Sequence, residues 1–157
     1  RIYFYSISQS DIVRYDGVPK YVGEGYETLR GVDVSEHQYD IDWAAVAASG
    51  VDFAYIRLGY RGYTQGGLFE DAYFKANIEG AKSNGIKVGV YFFSQAISVQ
   101  EAIEEADFVL ERIEQYDIDL PVMYDWEKME EAGADARTYQ LDTVRRGLLR
   151  DGEKGRI

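Results

Sequence analysis

The sequence predicts an α/β fold built on a parallel sheet. Two observations carry this. From residue 31 to residue 126, apolar stretches of strand length alternate with helix-forming stretches, the pattern of βαβ units with right-handed crossovers. Capping and stopping residues also fall at the joints, with Asp42 and Ser98 placed to open helices and Gly50 and Gly85 placed to close them.

Taken in order, residues 31–35 form a short apolar strand that ends in polar residues. Residues 42–49 form a helix with Asp42 as its N-cap and an alanine-rich body. Residues 53–58 (FAYIRL) form a second strand. Residues 68–84 are expected to be helical, with Phe69, Tyr73, Ala76 and Ile78 near helical spacing. Residues 86–93 (IKVGVYFF) form a third strand. Residues 98–116 form a long helix opened by a capping box of Ser98 and Glu101, with Ala102, Ala106, Val109, Leu110 and Ile113 turned inward and its acids in water. Residues 120–126 (LPVMYDW) form a fourth strand. Pattern alone leaves a barrel and a doubly wound sheet both open, and four strands are too few to close a barrel.

The ends read differently. Residues 2–7 alternate as a strand, and a turn at Asp16-Gly17 with Pro19 and Gly23-Glu24-Gly25 beyond it marks a small appended hairpin or leader over 1–30. A C-terminal helix is expected at 138–150. Residues 137–157 carry six basic and three acidic side chains, against eleven and twenty-five over 1–136. The organisation expected is therefore a hairpin at 1–30, the main domain at 31–136 and an atypical tail at 137–157, truncated or shifted in frame near 144–147. The chain opens on Arg rather than Met, which reads as a processed or clipped start.

The composition narrows the functions available. A net charge of -11 over 157 residues argues against nucleic acid, which needs clustered Lys and Arg. No cysteine is present, which excludes a disulfide scaffold and a thiolate metal site. No apolar run is long enough to span a bilayer, and 46% hydrophobic residues suffice for a folded core. His37, the one histidine, has only carboxylates as possible metal partners and reads as a loop residue. There is no nucleophile elbow and no phosphate loop, and Gly62, Gly66 and Gly67 read as a flexible loop. No metal or cofactor is expected.

The chemistry lies in the carboxylates. Asp33 (GVDVS), Asp125 and Glu127 (YDWE) sit at the C-terminal ends of predicted parallel strands, where α/β folds build their sites. Asp125 and Glu127 are two residues apart, so on an extended strand they share a side. Neighbouring carboxylates repel when both are ionised, which raises one pKa and leaves an acid beside an anion, the pair that glycoside hydrolysis uses.

Four segments then carry a resemblance. GVDVSEHQYDIDW, VDFAYIRLGYRGY, GIKVGVYFFSQA and LPVMYDWE resemble, in order and at matching spacing, the first four strands of family 25 glycoside hydrolases, lysozymes that cut bacterial cell-wall glycan. The resemblance implies an irregular, TIM-like parallel α/β barrel, incomplete in this chain. It implies hydrolysis of the β-1,4 bond between N-acetylmuramic acid and N-acetylglucosamine in peptidoglycan, outside the cell or at its surface. It implies Glu127 as general acid, with Asp125 stabilising charge or orienting the 2-acetamido group and Asp33 as the strand-one acid of the site. A non-catalytic peptidoglycan-binding fragment is the alternative. Candidate cleft residues are Gln38, Arg57, Tyr60, Tyr91, Phe93, Ser94 and Tyr124. Arg57 either meets a site carboxylate or the lactyl group of muramic acid, or makes a strand-to-helix ion pair. Tyr91 and Phe93 either floor a sugar subsite or fill the core. Gln38 is expected to hydrogen-bond within its own loop.

Overall fold

The computed structural model describes residues 7–63 and 65–127. The expected strand at 2–7 falls almost wholly outside them, and the expected helix at 138–150 and the tail at 137–157 fall wholly outside. The chain divides into two units, Arg1–Arg30 and Gly31–Ile157.

The first unit holds an antiparallel hairpin of β1 (Ile12–Tyr15) and β2 (Val18–Tyr21). Its two-residue turn puts Asp16 at φ 50° and Gly17 at φ 82°, the left-handed pair that matches strand twist and that an Asp-Gly sequence tolerates. Arg14 donates to the Gly17 carbonyl at 2.8 Å and closes the turn. Thr28 folds back on β2, its hydroxyl accepting from the Tyr21 N–H at 3.1 Å and donating to the Tyr21 carbonyl at 3.2 Å.

The second unit runs β3 (Gly31–Val34), α1 (Trp43–Ala48), β4 (Phe53–Arg61), β5 (Leu68–Glu70), α2 (Phe74–Ser83), β6 (Lys87–Ser94), α3 (Val99–Ile113) and β7 (Met123–Trp126). The sheet order is β3-β4-β6-β7, every pair parallel, with the short β5 antiparallel to β4. The curled parallel sheet with crossover helices is the α/β half-barrel that the sequence predicts.

Strand parity sorts the side chains. Ala54, Ile56 and Leu58 of β4 and Val88, Val90 and Phe92 of β6 are buried in one core with Phe74, Ile78 and Ala81 of α2 and Val109 of α3. Alternate residues, Tyr55 and Arg57 on β4 and Gly89 and Tyr91 on β6, face the other way and pair in register. The register shifts between Arg57 and Gly59. This bulge spends one extra residue, so Tyr60 returns to the face of Arg57 and Arg61 turns to the helix side.

Three local expectations change. The helix expected over 68–84 begins only at Phe74, because Leu68–Glu70 pairs back on Gly59, Tyr60 and Arg61. Apolar spacing did not separate a short returning strand from a helix start. At α3 the Ser98 hydroxyl accepts from the Glu101 N–H at 3.2 Å, but the Glu101 carboxylate takes the Ile97 N–H at 2.9 Å rather than that of Ser98. The capping box is therefore displaced by one residue. The buried face of α3 is also rotated from the expected one, since Glu105 and Val109 are buried while Leu110 is 60% exposed. An ion pair with Arg61 draws Glu105 inward against its hydropathy.

Candidate active site

β3 and β7 lie at opposite ends of the sheet order. Even so, Asp33 of β3 and Asp125 of β7 line one open cavity of about 390 Å³, together with Tyr55, Tyr91, Met123 and Tyr124. Curling of the sheet brings its two outer strands to one cleft. Gly89 makes room at the floor, since a Cβ there would lie 2.4 Å from the Tyr55 ring. The Tyr55 ring therefore rests on bare backbone of β6.

The carboxylates act on one another. The Asp125 carboxyl is raised above its ordinary range, first by burial, then by the charge of Glu127, then by its hydrogen bond with Glu127, and last by the charge of Asp33. Glu127 is exposed at the end of β7. Among the described residues no cation pairs with Asp125, Glu127 or Asp33. Like charges share the site, so a proton is retained there to higher pH than on a free aspartate. The sequence expects one raised carboxyl in this pair, and the raised member is Asp125.

Arg57 is buried and spoken for. Its Nε donates to Asp71 Oδ2 at 2.7 Å and its Nη2 to Glu36 Oε1 at 2.9 Å, while its guanidinium lies 5.1 Å from the centre of the Tyr60 ring. Arg57 thus makes ion pairs, but with a turn and a short 3-10 segment rather than the strand-to-helix pair expected. It joins β4 to the turn before α2 and to the loop after β3. Asp71 also accepts the Glu36 N–H and the Tyr73 N–H, both at 2.9 Å. The loop that follows Asp33 is thereby fixed. Gln38 stays within that loop as expected, its Oε1 accepting from the Ser35 N–H at 2.8 Å. His37 is exposed at the same place.

Tyr91 is half-buried and its phenol is raised, chiefly by burial, with nearby Arg57 opposing. It reaches the cavity and is hydrogen-bonded with Ser35. Phe93 stands beside Asp125 in register. Ser94 is a correction. It is fully buried on the helix face, and its hydroxyl meets the Glu105 carboxylate at 2.5 Å and the Tyr124 hydroxyl. Parity explains this, since Ser94 is three residues from Tyr91 and so points to the opposite side of β6. Tyr124 borders the cavity, but its hydroxyl turns away and donates to Glu105 at 3.0 Å. Burial, with Glu105 adding to it, pushes that phenol up to about 12. The sequence reading missed Tyr55 and Met123. Two-residue spacing from Arg57 and from Asp125 is the signal that finds both.

Among the described residues, no group of three or more His, Asp or Glu side chains is arranged to hold a metal ion. No helix there is long and apolar enough to cross a membrane.

A parallel α/β sheet with acids gathered at its strand ends is the architecture of barrel hydrolases. Residues 32–154 match the model of the glycosyl hydrolases family 25, and the chain belongs to that family. The match runs on past Glu127 into the segment set apart by its charge. Lysozyme M1 of Streptomyces globisporus is 34% identical over 80 residues, which are 51% of this chain and 25% of that protein. The modular autolysin LytC of Streptococcus pneumoniae, solved with a synthetic peptidoglycan ligand, superposes with a TM-score of 0.63 at 25% identity, covering 87% of this chain and 35% of that one. The lysozyme of Streptomyces coelicolor superposes with a TM-score of 0.57 at 27% identity, covering 78% of this chain and 56% of that one. This chain thus spans between about a quarter and about half of the length of these relatives.

Proposed function

We propose that this cleft hydrolyses the β-1,4 bond between N-acetylmuramic acid and N-acetylglucosamine in bacterial peptidoglycan, at the cell wall and outside the cytoplasm. The supporting observation is the meeting of Asp33 and Asp125 in one cavity from the two outer strands, with Glu127 hydrogen-bonded to Asp125. Nothing in the packing of the fold requires three like charges to converge, whereas glycoside hydrolysis needs an acid and an anion together.

In this reading Glu127 is the general acid. It is the exposed member of the pair, and it gives its proton to the glycosidic oxygen as the bond from that oxygen to the anomeric carbon breaks. Asp125 and Asp33 then face the electron-deficient sugar. Asp125 and Glu127 share one retained proton across their hydrogen bond, so its transfer from Glu127 leaves Asp125 as the anion that suits a hydrogen bond from the 2-acetamido group. Water adds its hydroxyl to the anomeric carbon and returns a proton to Glu127. The identity of the relatives as lysozymes and an autolysin supports peptidoglycan as the substrate.

The test is release of new reducing ends from purified peptidoglycan by this chain and by its Glu127→Gln variant. Reducing muramic acid is expected from the parent, with a loss of about a hundredfold or more in the variant, the usual contribution of a positioned acid. Equal release from both would overturn Glu127 as the acid. Binding to peptidoglycan with no release from the parent would leave the binding-fragment alternative.

A further inference from the structure

The strand registers align a row of side chains that the proposed chemistry leaves unused. Phe69 of β5 pairs with Tyr60 of β4, Tyr60 pairs with Phe93 of β6, and Phe93 pairs with Asp125 of β7. Partners in register project from the same face of a sheet, so three aromatics lead in a line across the strand ends to the catalytic carboxylate. Three interstrand steps of about 4.8 Å each carry the row some way beyond the cavity itself.

The far end of this row is open. Phe69 is 50% exposed, and Tyr63, which packs edge-on against Phe93 at 6.2 Å between ring centres, is 47% exposed. The inner ring is occupied, since Tyr60 stacks on Phe69 at 5.4 Å with 25° between planes and carries Arg57 near its ring. One face of Phe69 is thereby taken and its ring plane is set.

The residues beneath Phe69 are close-packed and hydrogen-bonded. A Cβ on Gly62 or Gly67 would lie 3.0 or 3.3 Å from the Phe69 ring, so the backbone at these two glycines lies close against it. The Gly62 N–H donates to the Gly67 carbonyl at 2.8 Å, and Arg61 Nη1 donates to the Gly66 carbonyl at 2.6 Å. Arg61 is in turn buried against Glu105 at 2.7 Å. Half-exposed aromatics contribute little to a core. They suit a ligand with a flat apolar face, which a β-linked sugar ring presents through its C–H bonds.

We propose that Phe69 and Tyr63 form an accessory sugar subsite, continuous with the cleft, that holds a distal sugar ring of a β-1,4-linked N-acetylhexosamine strand. The proposal rests on the glycan reading above and extends it to a preference for long chains over short ones.

The experiment is isothermal titration of the uncut Glu127→Gln protein, alone and with Phe69→Leu or Tyr63→Leu added, using β-1,4-linked N-acetylglucosamine dimers and hexamers. Leucine keeps apolar volume and removes the flat ring. The hexamer is expected to bind more tightly than the dimer. Each leucine variant should weaken the hexamer by about tenfold, the order of one aromatic face, and leave the dimer unchanged. Phe69→Tyr, which keeps the ring, should restore the hexamer. Equal losses for dimer and hexamer, or no loss for either, would overturn the subsite even if the parent cuts peptidoglycan. No binding of any oligomer, together with no release of reducing ends by the parent, would overturn the glycan reading and the subsite with it.

Discussion

The two faces of the sheet use acidic side chains to opposite ends. On the helix face, Glu105 is buried with three partners, Arg61 at 2.7 Å, Ser94 at 2.5 Å and Tyr124 at 3.0 Å. On the concave face, Asp125 meets Glu127 and Asp33, and its pKa rises. A buried acid with a cation and two hydroxyls is a joint, here binding α3 to β4, β6 and β7. An acid among acids is a poor joint, and its cost is tolerated where a proton is to be moved. The sequence spaces both kinds of carboxylate along similar apolar stretches. What separates them is the company each keeps.

Cutting the joint should cost most. Glu105→Ala leaves the Arg61 guanidinium buried without its carboxylate, and the expected loss is about 3–5 kcal/mol in urea unfolding. A loss under 1 kcal/mol would place Glu105 among surface acids and remove the contrast. Arg57→Met should cost less, about 1–3 kcal/mol, the loss of one partner of a buried group. Asp71 keeps two backbone donors and Glu36 turns to solvent. Comparing the two unfolding midpoints ranks the two ion-pair clusters. Tyr124→Phe removes a single hydroxyl from the Glu105 network, for about 1 kcal/mol. Glu105 still holds Arg61 and Ser94 in that variant, so the effect stays small.

The concave face should behave in the opposite sense. Asp125 has its pKa raised on folding, so between the unfolded and folded values the native state binds more protons. Stability therefore falls as pH rises through that window, and the cost is fully present above it. Asp125→Asn should accordingly stabilise the protein at neutral pH, while the gain disappears at acid pH where both carboxyls are protonated. Unfolding curves at both ends of that range check it. Destabilisation by Asp125→Asn at neutral pH would mean that the carboxylate is a joint after all.

Much of this was legible in the sequence, and the failures follow from one physical gap. Strand and helix order from Gly31 to Trp126 follows from hydropathy and caps, and the Asp16-Gly17 turn follows from backbone preference. Asp33, Asp125 and Tyr91, which line one cavity, were picked out in the sequence because strand ends and two-residue spacing are local signals. Leu68–Glu70 was not, since its strand state depends on pairing with β4, a partner sequence spacing cannot see. Ser94 was assigned to the cleft by its neighbourhood in sequence, although its parity places it against α3. Glu105 was read as a solvated acid because its burial depends on Arg61, forty-four positions earlier in the chain. Tyr55 was in reach by parity from Arg57. The Phe69-Tyr60-Phe93 row depends on a bulge and on two registers that only the folded sheet defines.

The central claim is that Asp33, Asp125 and Glu127 form one coupled set of carboxyl groups. It is tested most directly by following the Asp125 side-chain carbon through a pH titration by NMR, in the parent and in Asp33→Asn and Glu127→Gln. The account predicts a raised pKa in the parent, a small fall in Asp33→Asn and a larger fall in Glu127→Gln, in the order of their contributions. An ordinary aspartate value in the parent, or one that neither substitution moves, would contradict it.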